Sequence, residues 1–174
     1  MKSEKLLKVY PLSGDKVLLE PFSLERLNEF YSLYQNAKSS WEKFIVLHFK
    51  SIFEASVFIS QQFNNDNFVG FFIVEKTTNK LIGFVFGDEV ETDTLVRTTA
   101  IAPEFEGIGY AYEARTLFEQ WMKSVGYNVL AGFCDAENER NIKLLKKDGW
   151  NLVLKKKFWY GAHTIEMCYY IKPL

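Results

Sequence analysis

The sequence predicts a single α/β domain over residues 1–174, and three features of its pattern support this. Runs typical of strands alternate with segments whose apolar residues recur at helical spacing. Two of the strand runs, FVGFFIVE and KLIGFVFG, are joined by KTTN, which is typical of a hairpin. Another strand run ends near Ala102 and leads through two glycines into a helix. No linker, repeat or low-complexity tract interrupts the sequence, so one domain is the simplest interpretation.

The elements of the first half follow from local signals. KVLLEPF, from Lys16 to Phe22, predicts a strand that Pro21 ends. Ser23 is a candidate cap for a helix with apolar residues at helical spacing, namely Leu24, Leu27, Phe30, Tyr31 and Tyr34. The aromatic segment SSWEKFIVLHF is also expected to be helical. Ser51 and Glu54 then form a capping box that predicts a helix as far as about Phe63.

The second half begins with the FVGFFIVE–KLIGFVFG hairpin and a strand over Thr94–Ala102. The helix after the glycines has an apolar side and ends at Gly126. NVLAGFC is the next strand, and Asn138 is placed to cap a helix that Gly149 ends. The last two strands, around LVLKKKFWY and TIEMCYYI, are expected to turn at residues 161–162.

Composition excludes several function classes. The formal net charge is −1, whereas a dedicated nucleic-acid binder normally has a basic excess. The N-terminus lacks the apolar stretch of a signal peptide, and no run approaches the roughly 20 apolar residues of a spanning helix. Cys134 and Cys168 read as buried apolar residues, and their spacing does not indicate a metal site. We therefore expect a soluble cytoplasmic protein without a metal, a nucleic-acid partner or a membrane partner.

The segment PEFEGIGYA, from Pro103 to Ala111, is the clearest candidate for a ligand site. Backbone N–H groups at a helix N-terminus attract anions, and glycines let the backbone approach a phosphate closely. A P-loop would need a lysine and a hydroxyl after the last glycine, where Tyr110 and Ala111 stand. A dinucleotide fingerprint would need a third glycine in place of Tyr112. The residues alone leave open a diphosphate cradle or a tight turn without a ligand.

Two motifs resemble the GNAT superfamily of N-acyltransferases. The acyl-CoA-binding pattern of that family is Gln or Arg, two residues, Gly, one residue, then Gly or Ala, and it falls on Glu106, Gly109 and Ala111. Gly107 and the YEA that follows resemble the branch that acetylates N-terminal amines of ribosomal proteins, together with its polyamine-acetylating relatives. DAENERNIKLLKKDGW, over residues 135–150, is similar to a second block of that branch. The weaker resemblance runs from about residue 17 to residue 171.

The resemblance implies a fold and a cofactor site. The fold is a mixed, mostly antiparallel twisted sheet of about seven strands with about four flanking helices. Its fourth and fifth strands, here Thr94–Ala102 and Asn128–Cys134, splay apart to receive the pantetheine arm of acetyl-CoA. The reaction implied is direct attack of a neutral amine on the thioester in a ternary complex. The cofactor-binding residues expected on this basis are Ile101, Ala102, Glu106, Gly107, Ile108, Gly109, Tyr110, Ala111, Asn138, Arg140 and Asn141.

The sequence also departs from the family pattern. Glu106 occupies the Gln/Arg position, where a carboxylate would repel a diphosphate. Asn141 replaces a serine that is the proposed thiolate protonator of the branch, and Leu145 stands where other members carry a tyrosine. Val96 stands where many branch members carry a glutamate. The general acid is therefore unidentified, and Asn141 is kept as a catalytic candidate because its amide donates a hydrogen bond.

Several residues are candidates for accepting the proton of the amine. Glu89 follows the strand run KLIGFVFG and is our choice, since it roughly matches an acidic position of the polyamine-acetylating relatives. His48, Tyr160 and His163 are alternatives, each also explained by an ordinary structural role. Residues 155–157 read as a solvated lysine run, whereas Arg140 and Lys143 are candidates for contacts with CoA phosphates.

We therefore expect an acetyl-CoA-dependent N-acetyltransferase whose acceptor is a peptide or protein N-terminal amine. A polyamine site would need several carboxylates, and the aromatic segment Trp41–Phe49 offers only Glu42. A polyamine or other small-amine acetyltransferase and a non-catalytic acyl-CoA sensor are the alternatives. A homodimer is left open.

Overall fold

The computed structural model describes residues 4–44, 47–160 and 163–174. This part of the chain forms one mixed sheet of eight strands, in the order β1-β2-β3-β4-β5-β6-β8-β7. The strands are β1 Leu12–Ser13, β2 Val17–Pro21, β3 Phe68–Glu75, β4 Lys80–Glu91, β5 Thr94–Ile101, β6 Val129–Asp135, β7 Asn151–Tyr160 and β8 His163–Pro173. The helices are α1 Leu27–Phe44, α2 Ile52–Asn64, α3 Tyr110–Val125 and α4 Glu139–Lys147.

The predicted fold class is confirmed, with one strand more than expected. The additional strand, β1, has two residues and pairs antiparallel with β2. Every neighbouring pair of strands is antiparallel except β5 with β6, which is parallel. The predicted fourth and fifth strands of the family correspond to β5 and β6.

Helices cover both faces of the sheet, and each face has its own apolar core. Helices α1 and α2 pack on one face, over an aromatic core that includes Phe30, Phe58 and Phe84. We call this the acceptor face, because it includes Trp41 and Phe49 of the aromatic segment that was weighed above as an amine site. Helices α3 and α4 pack on the other face, over a core that includes Phe118 and Trp121. We call this the cofactor face. No described helix has the length and apolarity needed to cross a lipid bilayer.

Most predicted helix ends are confirmed by capping contacts. The Ser51 hydroxyl accepts the Glu54 N–H at 3.3 Å, while the Glu54 carboxylate accepts the Lys50 N–H at 2.8 Å. Gly126 ends α3 in the left-handed region with φ of +92°. Asn138 caps α4 by accepting the Asn141 N–H at 3.1 Å.

Two local predictions differ from the structure. Ser23 precedes a single 3-10 turn over Leu24–Arg26 and makes no side-chain capping bond, and α1 begins only at Leu27. The aromatic segment is helical only in its first part, since α1 continues as far as Phe44 and residues 47–49 are not helical. Its burial explains this: Ala37 and Trp41 extend the helical stripe of Phe30 and Tyr34 into the acceptor-face core. The turn predicted at residues 161–162 lies outside the described residues.

Candidate active site

A V-shaped gap opens between β5 and β6. The two strands pair at only three positions, the last of which joins Val96 to Ala131. Beyond it, β5 continues to Ile101 and β6 continues to Asp135 without further pairing between them. Backbone groups that face such a gap need hydrogen-bond partners from elsewhere.

The β4–β5 register shows which backbone groups face the gap. Ala102 donates its N–H to the Ile82 carbonyl at 2.9 Å, so these two residues form a hydrogen-bonded pair. In an antiparallel ladder, hydrogen-bonded and non-bonded pairs alternate. Arg97, Thr99 and Ile101 are opposite Gly87, Val85 and Gly83 in non-bonded pairs, so their N–H and C=O groups point away from β4 and into the V.

This register divides the two predicted pantetheine contacts. Ile101 faces the V, but its carbonyl already accepts the indole N–H of Trp41 at 3.0 Å. The Ala102 N–H points away from the V, toward Ile82. The Arg97 N–H is already used in the last parallel pair, Val96 with Ala131. The groups available to an extended ligand are therefore the Arg97 carbonyl, the N–H and carbonyl of Thr99, and the Ile101 N–H. The sequence does not indicate this division, because it depends on the pairing register.

A buried hydroxyl provides a second sign that a polar ligand belongs in the V. The Thr99 Oγ1 atom is buried and has no hydrogen-bond partner in the described part of the chain. Leaving such a group unsatisfied costs about 1–3 kcal/mol. Thr99 lies an even number of positions from Leu95 and Ile101 on β5, and both of these belong to the cofactor-face core. Its side chain therefore points to the same face, toward α3 and α4. The amide groups of a pantetheine arm would satisfy both this hydroxyl and the free backbone.

The glycine segment forms a loop whose backbone conformation requires glycine at two positions. Gly107 has φ of +81° and Gly109 has φ of +92°, a region that other L-residues rarely adopt. Gly109 is also the N-cap of α3, and it provides no side-chain cap. The first N–H groups of α3 are therefore left for solvent or an anion. The role of residues 106–111 as a diphosphate cradle stays a prediction.

Side chains around this loop hold it in place without occupying it. Lys16 donates from Nζ to the Ile108 carbonyl at 3.2 Å, and Glu113 accepts the backbone N–H of Lys16 at 3.0 Å. The Tyr110 hydroxyl donates to Glu75 at the end of β3, and this hydrogen bond raises the pKa of Tyr110. The loop is thus positioned at Ile108 and Tyr110 by contacts on the side of the N-terminal strands.

The unexpected acid of the loop has a cationic partner. An Oε2 atom of Glu106 accepts from Nη1 of Arg140, in the first turn of α4, at 2.9 Å. Both side chains are solvent-accessible, at 72% for Arg140 and 41% for Glu106. Glu106 therefore neutralises one of the two cations expected near the CoA phosphates. The other, Lys143, lies 3.8 Å from Glu139 on the exposed side of α4.

Replacing Glu106 with glutamine should release Arg140 and remove a negative charge from the cradle. We expect CoA affinity to rise roughly two- to fivefold, within the range of exposed ion pairs, and to rise more at low salt. Calorimetric titration of CoA at two ionic strengths measures this. Arg140→Gln is the matched control and should weaken binding. Unchanged affinity of Glu106→Gln at both ionic strengths would place this carboxylate outside the field of the diphosphate.

The helix α4 brings two predicted residues to the open end of β6. Asn138 uses its Oδ1 atom for the cap, and Asn141 donates from Nδ2 to the Cys134 Sγ atom at 3.3 Å. Cys134 is buried, as expected, and burial raises the pKa of its thiol. Leu145 also packs in the cofactor-face core, where it contributes no acid. Asn141 is therefore a hydrogen-bond donor in the wall of the V.

Glu89 lies away from these residues. It is part of β4 rather than after it, opposite Leu95, and its carboxylate accepts the Tyr127 hydroxyl at 2.9 Å. Leu95 pairs with Leu130, which is four residues before Cys134 on β6, or about 13 Å at strand spacing. The structure thus does not bring Glu89 and Asn141 together, and the role of Glu89 as a proton acceptor stays a prediction.

The remaining candidates of the sequence lie at the edges of the site. His48 is half-exposed, with Nδ1 3.3 Å from the Glu42 carboxylate. The Tyr34 hydroxyl donates to the same Glu42 oxygen at 2.6 Å, and this hydrogen bond is the main cause of the lowered pKa of Glu42. Lysines 155–157 are exposed on the edge strand β7. The side chains of Tyr160 and His163 are outside the described part of the structure.

Comparisons with known proteins agree with this fold. The acetyl transferase of Salmonella typhimurium that modifies the N-terminal serine of the 50S ribosomal subunit protein L7/L12 superposes with a TM-score of 0.83 at 10% identity, over 95% of this chain and 99% of that one. A GNAT acetyltransferase of Bacillus anthracis superposes with a TM-score of 0.80 at 17% identity, over 94% of this chain and 98% of that one. The microcin C7 self-immunity acetyltransferase MccE, solved with acetyl-CoA and AMP, superposes with a TM-score of 0.79 at 18% identity, over 92% of this chain and 94% of that one.

Sequence comparison supplies the family. A search of curated proteins found no match. The profile described as the acetyltransferase (GNAT) domain matches residues 16–151, which include the V, the glycine loop and the whole of α4. This match covers well over half of the chain, so the protein belongs to the GNAT family of acetyltransferases.

Proposed function

We propose that this acyltransferase moves an acetyl group from acetyl-CoA to a primary amine, and that its acceptor is the N-terminal α-amine of a peptide or protein. The observation that supports this most strongly is the V between β5 and β6, with its unpaired backbone and the unsatisfied hydroxyl of Thr99. It leads from the glycine loop on the cofactor face to the acceptor face. The MccE structure, which holds acetyl-CoA in the same fold, supports the choice of cosubstrate.

The choice of acceptor rests on the chemistry of the acceptor face. The exposed side chain on β6 at this face is Phe133, which packs against Tyr169 of β8 with ring centroids 5.0 Å apart. Such an aromatic surface suits apolar peptide side chains, whereas a polyamine site would need several carboxylates. An α-amine has a pKa near 8, so a sizeable fraction is neutral at pH 7, whereas amines near 10.4 are almost fully charged. A site with few bases therefore favours the α-amine.

In this mechanism the residues of the chain bind acetyl-CoA, orient it and polarise its thioester. Acetyl-CoA supplies the activated acyl group. The N-terminus of α3 and Arg140 hold the diphosphate, and Arg97, Thr99 and Ile101 offer backbone hydrogen bonds to the pantetheine arm. Asn141 is placed to donate a hydrogen bond to the departing thiolate. Since an amide is not a useful acid, the proton that converts the thiolate to the thiol comes from water or from the attacking amine.

A thiol-release assay tests the proposal. A short synthetic peptide with a free N-terminal serine should release CoA thiol steadily from acetyl-CoA, whereas the same peptide with a formylated N-terminus should not. Spermidine is the second acceptor. Release with spermidine alone would favour the polyamine alternative. Thermal stabilisation by acetyl-CoA without thiol release from any amine would favour an acyl-CoA sensor and overturn the proposal.

A further inference from the structure

Asp88 points to the opposite face of the sheet from its neighbour Glu89. Phe84 and Phe86 precede it at alternate positions of β4 and pack with the acceptor-face core. Its partner on β3 is Phe68, which belongs to the same core. Successive side chains of a strand point to opposite faces, so Asp88 faces the acceptor side and Glu89 faces α3.

Asp88 also lies level with the start of the V. It pairs with Val96 on β5, and Val96 pairs with Ala131 on β6, which is the last contact before the strands separate. Neighbouring strands are about 4.8 Å apart, so Asp88 is one strand away from the edge of the V. At this spacing one ordered water can bridge the carboxylate and an amine at the edge of the V.

The surroundings of Asp88 do not give its carboxylate a partner. Within the described part of the chain it makes no hydrogen bond or ion pair, although it is about half-buried. The side chains packed nearest by register are Phe68 of β3 and Val96 of β5, and Phe58 of α2 packs over Phe86. None of them is charged, and burial is the only cause of the raised pKa of Asp88.

A raised pKa has a definite consequence for stability. The folded protein holds the Asp88 proton more tightly than the unfolded chain does, so ionising Asp88 opposes folding once the pH rises above the ordinary pKa of an aspartate. An uncharged side chain at position 88 would thus stabilise the fold more than an ionised aspartate does. A carboxylate that opposes folding and faces a reaction cleft is more simply explained by function than by structure.

We propose that Asp88, rather than Glu89, accepts the proton of the acceptor ammonium. The inference rests on the proposed amine acetylation. The Asp88 carboxylate takes one proton from the ammonium, which leaves a neutral amine. The amine nitrogen then forms a bond to the thioester carbonyl carbon, and the C–S bond breaks. The second proton lost by the nitrogen converts the CoA thiolate to the thiol, and Asp88 returns its proton to solvent.

The test uses the peptide with a free N-terminal serine and three variants of β4. Asp88→Asn should lower kcat about 100-fold at pH 7, the scale of general-base contributions, with unchanged acetyl-CoA binding by calorimetry. At pH 9 the α-amine is mostly neutral, so the deficit should shrink to less than tenfold. The Tm of Asp88→Asn should equal or exceed that of the parent. Glu91→Gln, an exposed carboxylate at the end of the same strand, is the matched control and should turn over normally.

Three results would count against this role. Turnover of Asp88→Asn at the parental rate, or a deficit that is the same at pH 7 and pH 9, would show that Asp88 does not take the proton. Loss of turnover in Glu89→Gln with normal Asp88→Asn would assign the role to Glu89. Parent enzyme that releases thiol with no amine at all would instead overturn the proposed function, so the two failures are distinguishable.

Discussion

Gly109→Asp should weaken CoA binding at least about a hundredfold, or roughly 2.8 kcal/mol. Two effects add at this position. A residue with a Cβ atom is strained at φ of +92°, so the loop would shift away from the shape that exposes the first N–H groups of α3. A Cβ atom here would lie 3.6 Å from the Lys16 Nζ atom, so the new carboxylate would also stand where the diphosphate is expected and would pair with this cation. Gly109→Ala retains only the first effect and should cause a smaller loss.

Gly126 provides a matched control for this experiment. It has the same φ of +92°, but it lies at the other end of α3, about 24 Å away along the helix. Gly126→Asp therefore introduces the same backbone strain and the same charge without touching the loop. Calorimetry should show normal CoA affinity for it, with both variants checked for folding by circular dichroism. Equal CoA affinity in Gly109→Asp and the parent would show that the diphosphate does not bind at residues 106–111.

The fold was predictable because its signals are local. The capping box at Ser51, the cap at Asn138 and the glycine stop at Gly126 each depend on a few neighbouring residues, and each is confirmed. The 3-10 turn after Ser23 and the length of α1 were not predictable in this way. They depend on how Trp41 and its neighbours pack against the sheet, which is a tertiary effect.

The site was predictable only in part, for a similar reason. The glycine loop is a continuous segment, so its motif is visible in the sequence. The Glu106–Arg140 pair joins residues 34 positions apart, and the Trp41–Ile101 hydrogen bond joins residues 60 positions apart. Sequence spacing does not encode such contacts. The opposite orientation of Asp88 and Glu89 was accessible, however, because the alternation of Phe84 and Phe86 already assigns Asp88 to the aromatic face.

A charge network lies on the cofactor face at the narrow end of the V. Arg97, the first residue of β5 after the last paired position, donates to Glu119 of α3 at 2.7 Å and stacks on Trp150, with Cζ 5.1 Å from the ring centroid. Glu119 also accepts from Lys172 of β8 at 2.9 Å, and Lys172 contacts Asp148 at 3.2 Å. Burial lowers the pKa of Arg97 to about 10, so it remains charged at neutral pH. The network joins β5 to β8 beside the last paired positions of β5 and β6.

Glu119→Leu should therefore lower the free energy of unfolding by about 3 kcal/mol, because it leaves a guanidinium that is only 6% exposed without its counter-charge. Urea unfolding measures the loss. Glu119→Gln keeps one hydrogen-bond acceptor for Arg97 and should lose less. The double variant Arg97→Met/Glu119→Leu removes both charges and should recover most of the stability, since a buried pair often adds little beyond a well-packed apolar one.

Lys143→Gln breaks an ion pair whose side chains are 80% and 82% exposed, so it should change stability by no more than about 0.5 kcal/mol. If Glu119→Leu were as mild as Lys143→Gln, the network would not be what holds the sheet together beside the V.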